Sequence, residues 1–160
     1  MKLEHLAPYL PYGLKCRTKI GDLFLNRLTN CETFKAWFVY TYDSKNNLVK
    51  HNYEANTSND NTCGKGFRLN EIKPILRPLT DLTKEIERKG KKSKPIWDLY
   101  SAIIEAGENP NIAEMVLNRL IRKEIDVEML PYFVYLKLLE WHFDVFGLIE
   151  KGEAIDINTL

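Results

Sequence analysis

Between Pro131 and Phe146 the chain runs for four turns of a helix with only four polar side chains, Lys137, Glu140, His142 and Asp144. Lys137, Glu140 and Asp144 are spaced i, i+3, i+7, so at 3.6 residues per turn they form one narrow stripe and the rest of the cylinder needs burial. The stretch predicts a buried helix, 131–146, around which the remaining elements organise. Such a helix is ~24 Å long at ~1.5 Å per residue, shorter than the ~30 Å hydrocarbon layer, and it carries charge midway, so no membrane span is expected.

A chain of 160 residues is the size of one ordinary domain and can bury a core without disulfides or metals. One domain spanning 1–160 is expected. The net charge of +1 conceals an asymmetry: residues 61–100 carry ten Lys/Arg against five Asp/Glu, and residues 101–160 carry five against eleven. That balance excludes the strong non-specific duplex affinity of a histone-like protein and leaves room for a local basic patch. Cys16, Cys31 and Cys63 are odd in number and lack C-x-x-C spacing. Neither a zinc site nor a disulfide framework is expected. Glu4, His5, Pro8 and Pro11 interrupt any signal-like pattern at the start, so the protein reads as intracellular.

The period of the pattern changes once along the chain. Leu14 to Ile20 alternates apolar and basic residues, which predicts a strand with one wet face of Lys15, Arg17 and Lys19. Gly21-Asp22 turns it into a second strand, Leu23 to Leu28. Phe34 to Tyr42 is apolar on both faces, as befits a central strand. Leu48 to Tyr53 is its hairpin partner, Asn56 to Gly66 a polar loop, and Phe67 to Leu69 a last strand. From Glu71 the apolar spacing turns helical: a Pro-broken linker to Leu79, then a helix from an N-cap at Thr80 to about Lys89. Further helices follow at about Pro95–Ala106, stopped by Gly107, and from Asn109-Pro110 to about Lys123. Ala154 to Ile157 is placed as an edge strand. The sum is an α+β fold: a small antiparallel sheet (residues about 14–70) covered by a C-terminal helical layer (about 71–150).

Trp141-His142-Phe143-Asp144 offers a histidine and a carboxylate, but i and i+2 point ~200° apart on a helix, so Asp144 cannot orient His142 there and a structural histidine is expected. His5, His51 and the cysteines carry no spacing that implies a site, although Cys63 in the polar loop is expected to be exposed. Gly64-Lys65-Gly66 lacks the spacing of a phosphate loop. No catalytic residue, metal or cofactor is assigned. The basic run is more informative: Arg88, Lys89, Lys91, Lys92 and Lys94, with Lys84 a turn earlier, place six cations within eleven residues, diluted by Glu85 and Glu87. It reads as a flexible loop whose lysines suit phosphate contacts, against the plainer alternative of a solvated connector. No aromatic residue interleaves with it, so stacking on single-strand bases is not indicated.

Three stretches carry a resemblance: Leu6-Ala7-Pro8-Tyr9-Leu10-Pro11-Tyr12-Gly13-Leu14-Lys15, Ile72-Lys73-Pro74-Ile75-Leu76-Arg77-Pro78-Leu79, and His142-Phe143-Asp144-Val145-Phe146-Gly147-Leu148-Ile149-Glu150-Lys151-Gly152 running on to Asp156. Together they resemble a group of small proteins encoded by phages, prophages and mobile elements of Bacteroides-like bacteria. Residues 20–66 and 84–130 do not share in it, and Glu153 stands where that group is expected to be apolar. The resemblance brings no catalytic residue with it. It implies an accessory protein in the host bacterial cytoplasm, not an enzyme, that acts by binding: an anti-CRISPR-like inhibitor of an RNA-guided defence nuclease that disturbs guide or target RNA. The alternative is a nucleic-acid-binding accessory protein without a protein target. The expected partners are a host protein such as a nuclease complex, and RNA, with no membrane. The contact residues expected are Lys84, Arg88, Lys89, Lys91, Lys92 and Lys94, joined by Arg68.

Overall fold

The computed structural model describes residues 2–31, 36–42, 45, 48–49, 67–88 and 90–160, with the backbone alone at 26–31, 36–42, 48–49, 68 and 128. The protein is α+β. It divides into two compact units, one of Met1–Leu76 with Leu148–Leu160 and one of Arg77–Gly147.

The first unit holds the sheet. It opens with α1 (Leu3–Leu6) and a 3-10 turn, Ala7–Tyr12, in which Pro11 supplies no N–H and Leu6 and Tyr9 are fully buried. In β1 (Lys15–Thr18) the predicted alternation holds: Leu14, Cys16 and Thr18 are buried, whereas Lys15, Arg17 and Lys19 are exposed. Ile20 departs from it. It sits in the turn after β1, where the Thr18 hydroxyl donates to Gly21 O at 2.7 Å and accepts from Ile20 N at 3.2 Å, and more than half of its surface faces solvent. β2 (Gly21–Cys31) is longer than predicted and pairs antiparallel with β1 and with β3 (Ala36–Tyr42), its register shifting between Leu25 and Arg27. β3 also pairs antiparallel with β4 (Leu48–Val49) and β5 (Phe67–Arg68), so it is an interior strand, although β1 and β2 stand nearer the middle of the order. The loop read at Asn56 to Gly66 lies outside the described residues.

The Pro-broken helical linker expected after Glu71 is instead a strand, β6 (Lys73–Leu76). It pairs antiparallel with β1, Pro74 standing opposite Cys16, and parallel with β9 (Ile155–Asp156), the edge strand expected near Ala154. The sheet is therefore mixed and runs beyond residue 70. With a neighbour on either side, β6 buries Pro74, Ile75 and Leu76 in succession, so it shows none of the alternation that reveals a half-wet strand.

The second unit begins with a 3-10 turn, Leu79–Thr83, whose N-cap is Pro78 and not Thr80. The helix expected from Thr80 to Lys89 does not form. Its place is taken by a β-hairpin of β7 (Ile86–Arg88) and β8 (Lys91–Ser93), with Ile86 opposite Ser93, Glu87 opposite Lys92 and Arg88 opposite Lys91. The two-residue connection contains Gly90 at φ +77°, a left-handed conformation that suits glycine in so tight a link. α2 (Pro95–Glu105) and α3 (Pro110–Ile121) lie where the Pro and Gly signals place them, and the Asn109 side chain caps α3 by accepting from Asn111 N at 2.8 Å. α2 packs on α3, on the 3-10 turn and on α4 (Tyr132–Glu140).

The buried helix expected at 131–146 is a nine-residue helix that buries one face. Val134, Leu138 and Leu139 are inside, whereas Tyr132 is exposed. It stops because His142 turns left-handed, at φ +57°. His142 N then bonds to Leu139 O at 3.0 Å and Phe143 N to Leu138 O at 2.9 Å, the paired bonds of a Schellman ending. The chain beyond runs beside Arg77, whose N–H donates to His142 O at 2.9 Å and whose carbonyl accepts from Asp144 N at 2.8 Å. The lost helical bonds are thus replaced, and Phe143, Asp144 and Val145 are buried without being helical.

Candidate functional site

The cationic run is built on the β7–β8 hairpin, and the register sorts its side chains. Cross-strand partners share a face, so Ile86, Arg88, Lys91 and Ser93 lie on one side and Glu87 and Lys92 on the other. Ile86 is buried and anchors the first side.

Arg88 is a fastener. Its Nη2 donates to Ser93 Oγ at 2.7 Å and to Asp98 Oδ2, and Ser93 Oγ donates to the same Asp98 oxygen at 3.1 Å. The guanidinium also lies over the Trp141 ring, 4.0 Å from its centre. Its charge is thereby spent on tying both hairpin strands to the first turn of α2 and to the end of α4. Asp98 also meets the positive pole of α2, so that helix start is already compensated.

Lys84 is engaged as well. Its Nζ lies 2.6 Å from Oδ1 of Asp81, a carboxylate only 1% exposed, whose Oδ2 lies 3.4 Å from Arg77 Nη1. Lys91, Lys92 and Lys94 are exposed and form no ion pair among the described residues. Lys89 lies outside the described residues. Arg68 is described by its backbone alone, in β5 of the other unit. Of the predicted contact residues, Lys91 and Lys92 stand exposed on opposite faces of the hairpin and Lys94 is exposed at the start of α2, whereas Arg88 and Lys84 are paired with carboxylates. The loop expected to be flexible is a hairpin fastened at its base.

The basic face of β1 is balanced by its surroundings. Arg17 pairs with Asp22, its partner across the strands, Lys15 Nζ stands 3.4 Å from Asp22, and Lys19 Nζ stands 3.9 Å from Glu71. The Arg17 hydrogen bond, helped by the charges of Arg17 and Lys15, holds the Asp22 carboxyl below the usual carboxylate range.

Cys16 is buried, and desolvation, with the nearby Asp22 charge adding to it, pushes its thiol up to about 12, far from the thiolate that nucleophilic or metal chemistry needs. Among the described residues no group of three His, Cys, Asp or Glu side chains is arranged to hold a metal ion, and no helix is long and apolar enough to cross a membrane. Cys63 and His51 lie outside those residues. His142 and Asp144 are not on one helix as expected, since α4 ends before them.

One residue near the lysines escaped sequence reasoning. Trp97 is exposed in the first turn of α2, with its backbone N–H donating to Lys94 O at 3.1 Å. Its signal is present in the sequence three residues beyond Lys94, in the helix that follows the cationic run and not within the run itself.

The fold and site together define an α+β protein that displays a fastened cationic hairpin. No family model, curated protein or solved structure matches the chain.

Proposed function

We propose that the protein is a mobile-element-encoded binding protein, not an enzyme, that inhibits a host RNA-guided defence nuclease by laying the β7–β8 hairpin against the guide or target RNA which that nuclease holds. The observation that carries the proposal is the division of labour among the cations. Arg88 and Ser93 fasten the hairpin, and Lys91 and Lys92 on it and Lys94 at the start of α2 stand exposed without ion pairs among the described residues. Lysines held on a rigid support lose less freedom on meeting phosphates than lysines on a mobile loop. The resemblance of the chain's three quoted stretches to phage and prophage proteins supplies the biological setting.

The same geometry favours a composite partner over bare nucleic acid. Glu87 faces Lys92 across the hairpin and Asp98 sits at its base, so the local field is modest, and the whole chain carries only +1. Affinity for a polyanion alone scales with the phosphates neutralised, and three lysines neutralise few. A protein surface then adds the larger share to a weaker contact with the nucleic acid.

Tagged protein is to be used to capture partners from a bacterial host lysate, with and without nuclease treatment, and the eluate analysed for protein and RNA. A nuclease complex retained after treatment is the expected result, and the double variant Lys91→Glu/Lys92→Glu is expected to weaken capture about tenfold or more while leaving the circular dichroism spectrum unchanged. Capture that vanishes with nuclease treatment would replace the inhibitor by a nucleic-acid-binding accessory protein. Undiminished capture by the double variant would remove the hairpin from the interface.

A further inference from the structure

Two tryptophans of the second unit stand close to the cationic hairpin in the bonded network, and they differ in one respect. Trp141 is covered by the Arg88 guanidinium at 4.0 Å and approached by Lys137 Nζ at 5.7 Å. Trp97 is 63% exposed. A large aromatic side chain left so open forgoes much of its hydrophobic stabilisation and presents its faces to solvent.

The position of Trp97 is held from three directions. Its backbone N–H donates to Lys94 O at 3.1 Å, at the start of α2. Its ring meets Tyr100 edge to face, with centroids 6.3 Å apart and planes at 78°, which limits how the indole can turn. The next residue, Asp98, is bonded to Arg88 and Ser93, which clamps the helical turn carrying Trp97 to the hairpin carrying Lys91 and Lys92. An open aromatic ring is therefore carried three residues from the exposed Lys94, on a helical turn clamped to the hairpin that bears Lys91 and Lys92.

We propose that Trp97 is a stacking platform for an unpaired base of a single-stranded nucleic acid, whose phosphates are held by Lys91 and Lys94. Charge complementarity selects this occupant. Aromatic rings next to a cationic track are how single strands are bound without sequence preference, because every base offers a π face and every nucleotide a phosphate. A duplex keeps its bases stacked on one another and offers the indole nothing to receive. The inference rests on the proposed contact between the hairpin and nucleic acid, and it adds the strandedness of the ligand and the residue that reads it.

The test uses the full chain and fluorescein-labelled oligouridylate, oligothymidylate and an RNA duplex of about a dozen nucleotides or pairs, with fluorescence anisotropy measured over a range of salt. The single strands are expected to bind more tightly than the duplex. Trp97→Ala is expected to lose roughly tenfold or more in affinity for them with the salt slope unchanged, because phosphate contacts set that slope. Trp97→Phe is expected to retain most of the affinity. Lys91→Glu/Lys94→Glu is expected to flatten the slope. Single-strand binding unaltered in Trp97→Ala, or duplex bound as tightly as single strand, would overturn the stacking platform. If the lysine variant still weakened binding in that case, the hairpin–nucleic acid contact would stand without it. Absence of single-strand binding by the wild-type chain would also overturn the platform, and host-protein capture would remain the separate test of the inhibitor.

Discussion

Arg88 and Lys91 face one another across the same hairpin and carry the same charge, yet their surroundings give them opposite roles. Arg88 offers its guanidinium to Ser93, Asp98 and the Trp141 ring at once, a combination that needs a planar fork and a weakly hydrated face. Arg88→Lys keeps the charge and loses the fork, so it is expected to destabilise the fold by ~1–2 kcal/mol in urea unfolding. Wild-type stability in that variant would return Arg88 to the set of available cations. In the first unit, Asp22 is held below the usual carboxylate range, chiefly by Arg17. A depressed carboxyl favours the folded state above its unfolded value of about 3.8, and that contribution is lost as pH falls through the lower folded value. Asp22→Asn is therefore expected to be less stable than wild type near neutral pH and to converge with it in strong acid. Urea midpoints compared at both pH values check this, and a constant difference would assign the effect to packing.

Helix endings show how the same motif is reached with different residues. α2, α3 and α4 all close with paired Schellman bonds, through Gly107 at φ +91°, Lys123 at φ +56° and His142 at φ +57°. Only the first uses the residue that adopts this conformation without a Cβ clash. Lys123→Gly removes that clash at the exposed end of α3 and is expected to stabilise the fold by ~0.5–1 kcal/mol, read as a raised thermal midpoint. An unchanged or lowered midpoint would mean that the Lys123 side chain contributes as much as its backbone loses. These endings also explain which helices were legible. Gly107 and Asn109-Pro110 announced a stop and a start, whereas His142 gave no local notice within Trp-His-Phe-Asp-Val-Phe, and the predicted helix ran on to residue 146. The hairpin was hidden for a related reason. Ile86-Glu87-Arg88 and Lys91-Lys92-Ser93 are too short for period-two alternation to register, and Glu, Arg and Lys favour helix. Gly90 within the cationic run was the one available sign of a turn.

Across the whole molecule, the first unit is closed by pairing residues far apart in the chain. β6 and β9 bond to each other while the whole of Arg77–Gly147 intervenes between them. The second unit returns close to its start, since Arg77 bonds to His142 and Asp144. Neither closure has a local signature, because the energy of a ladder lies in a partner strand that a reading along the chain does not see. What local chemistry settled was the α+β class, the alternating strand β1, the starts of α2 and α3 and the edge strand near Ala154, all of which depend on periodicity or on Pro, Gly and Asn at fixed offsets. The cationic cluster was equally visible from composition. Tertiary structure decided the rest: that Lys73–Leu76 is a strand buried between two others, that α4 ends at Glu140 because Arg77 stands ready to pair with the residues beyond it, and that among six neighbouring cations Arg88 and Lys84 face carboxylates while Lys91, Lys92 and Lys94 face solvent. The physical reason is common to all three, for each outcome depends on which group lies across a contact in space, and identical residues in one run of sequence meet different groups once the chain has folded.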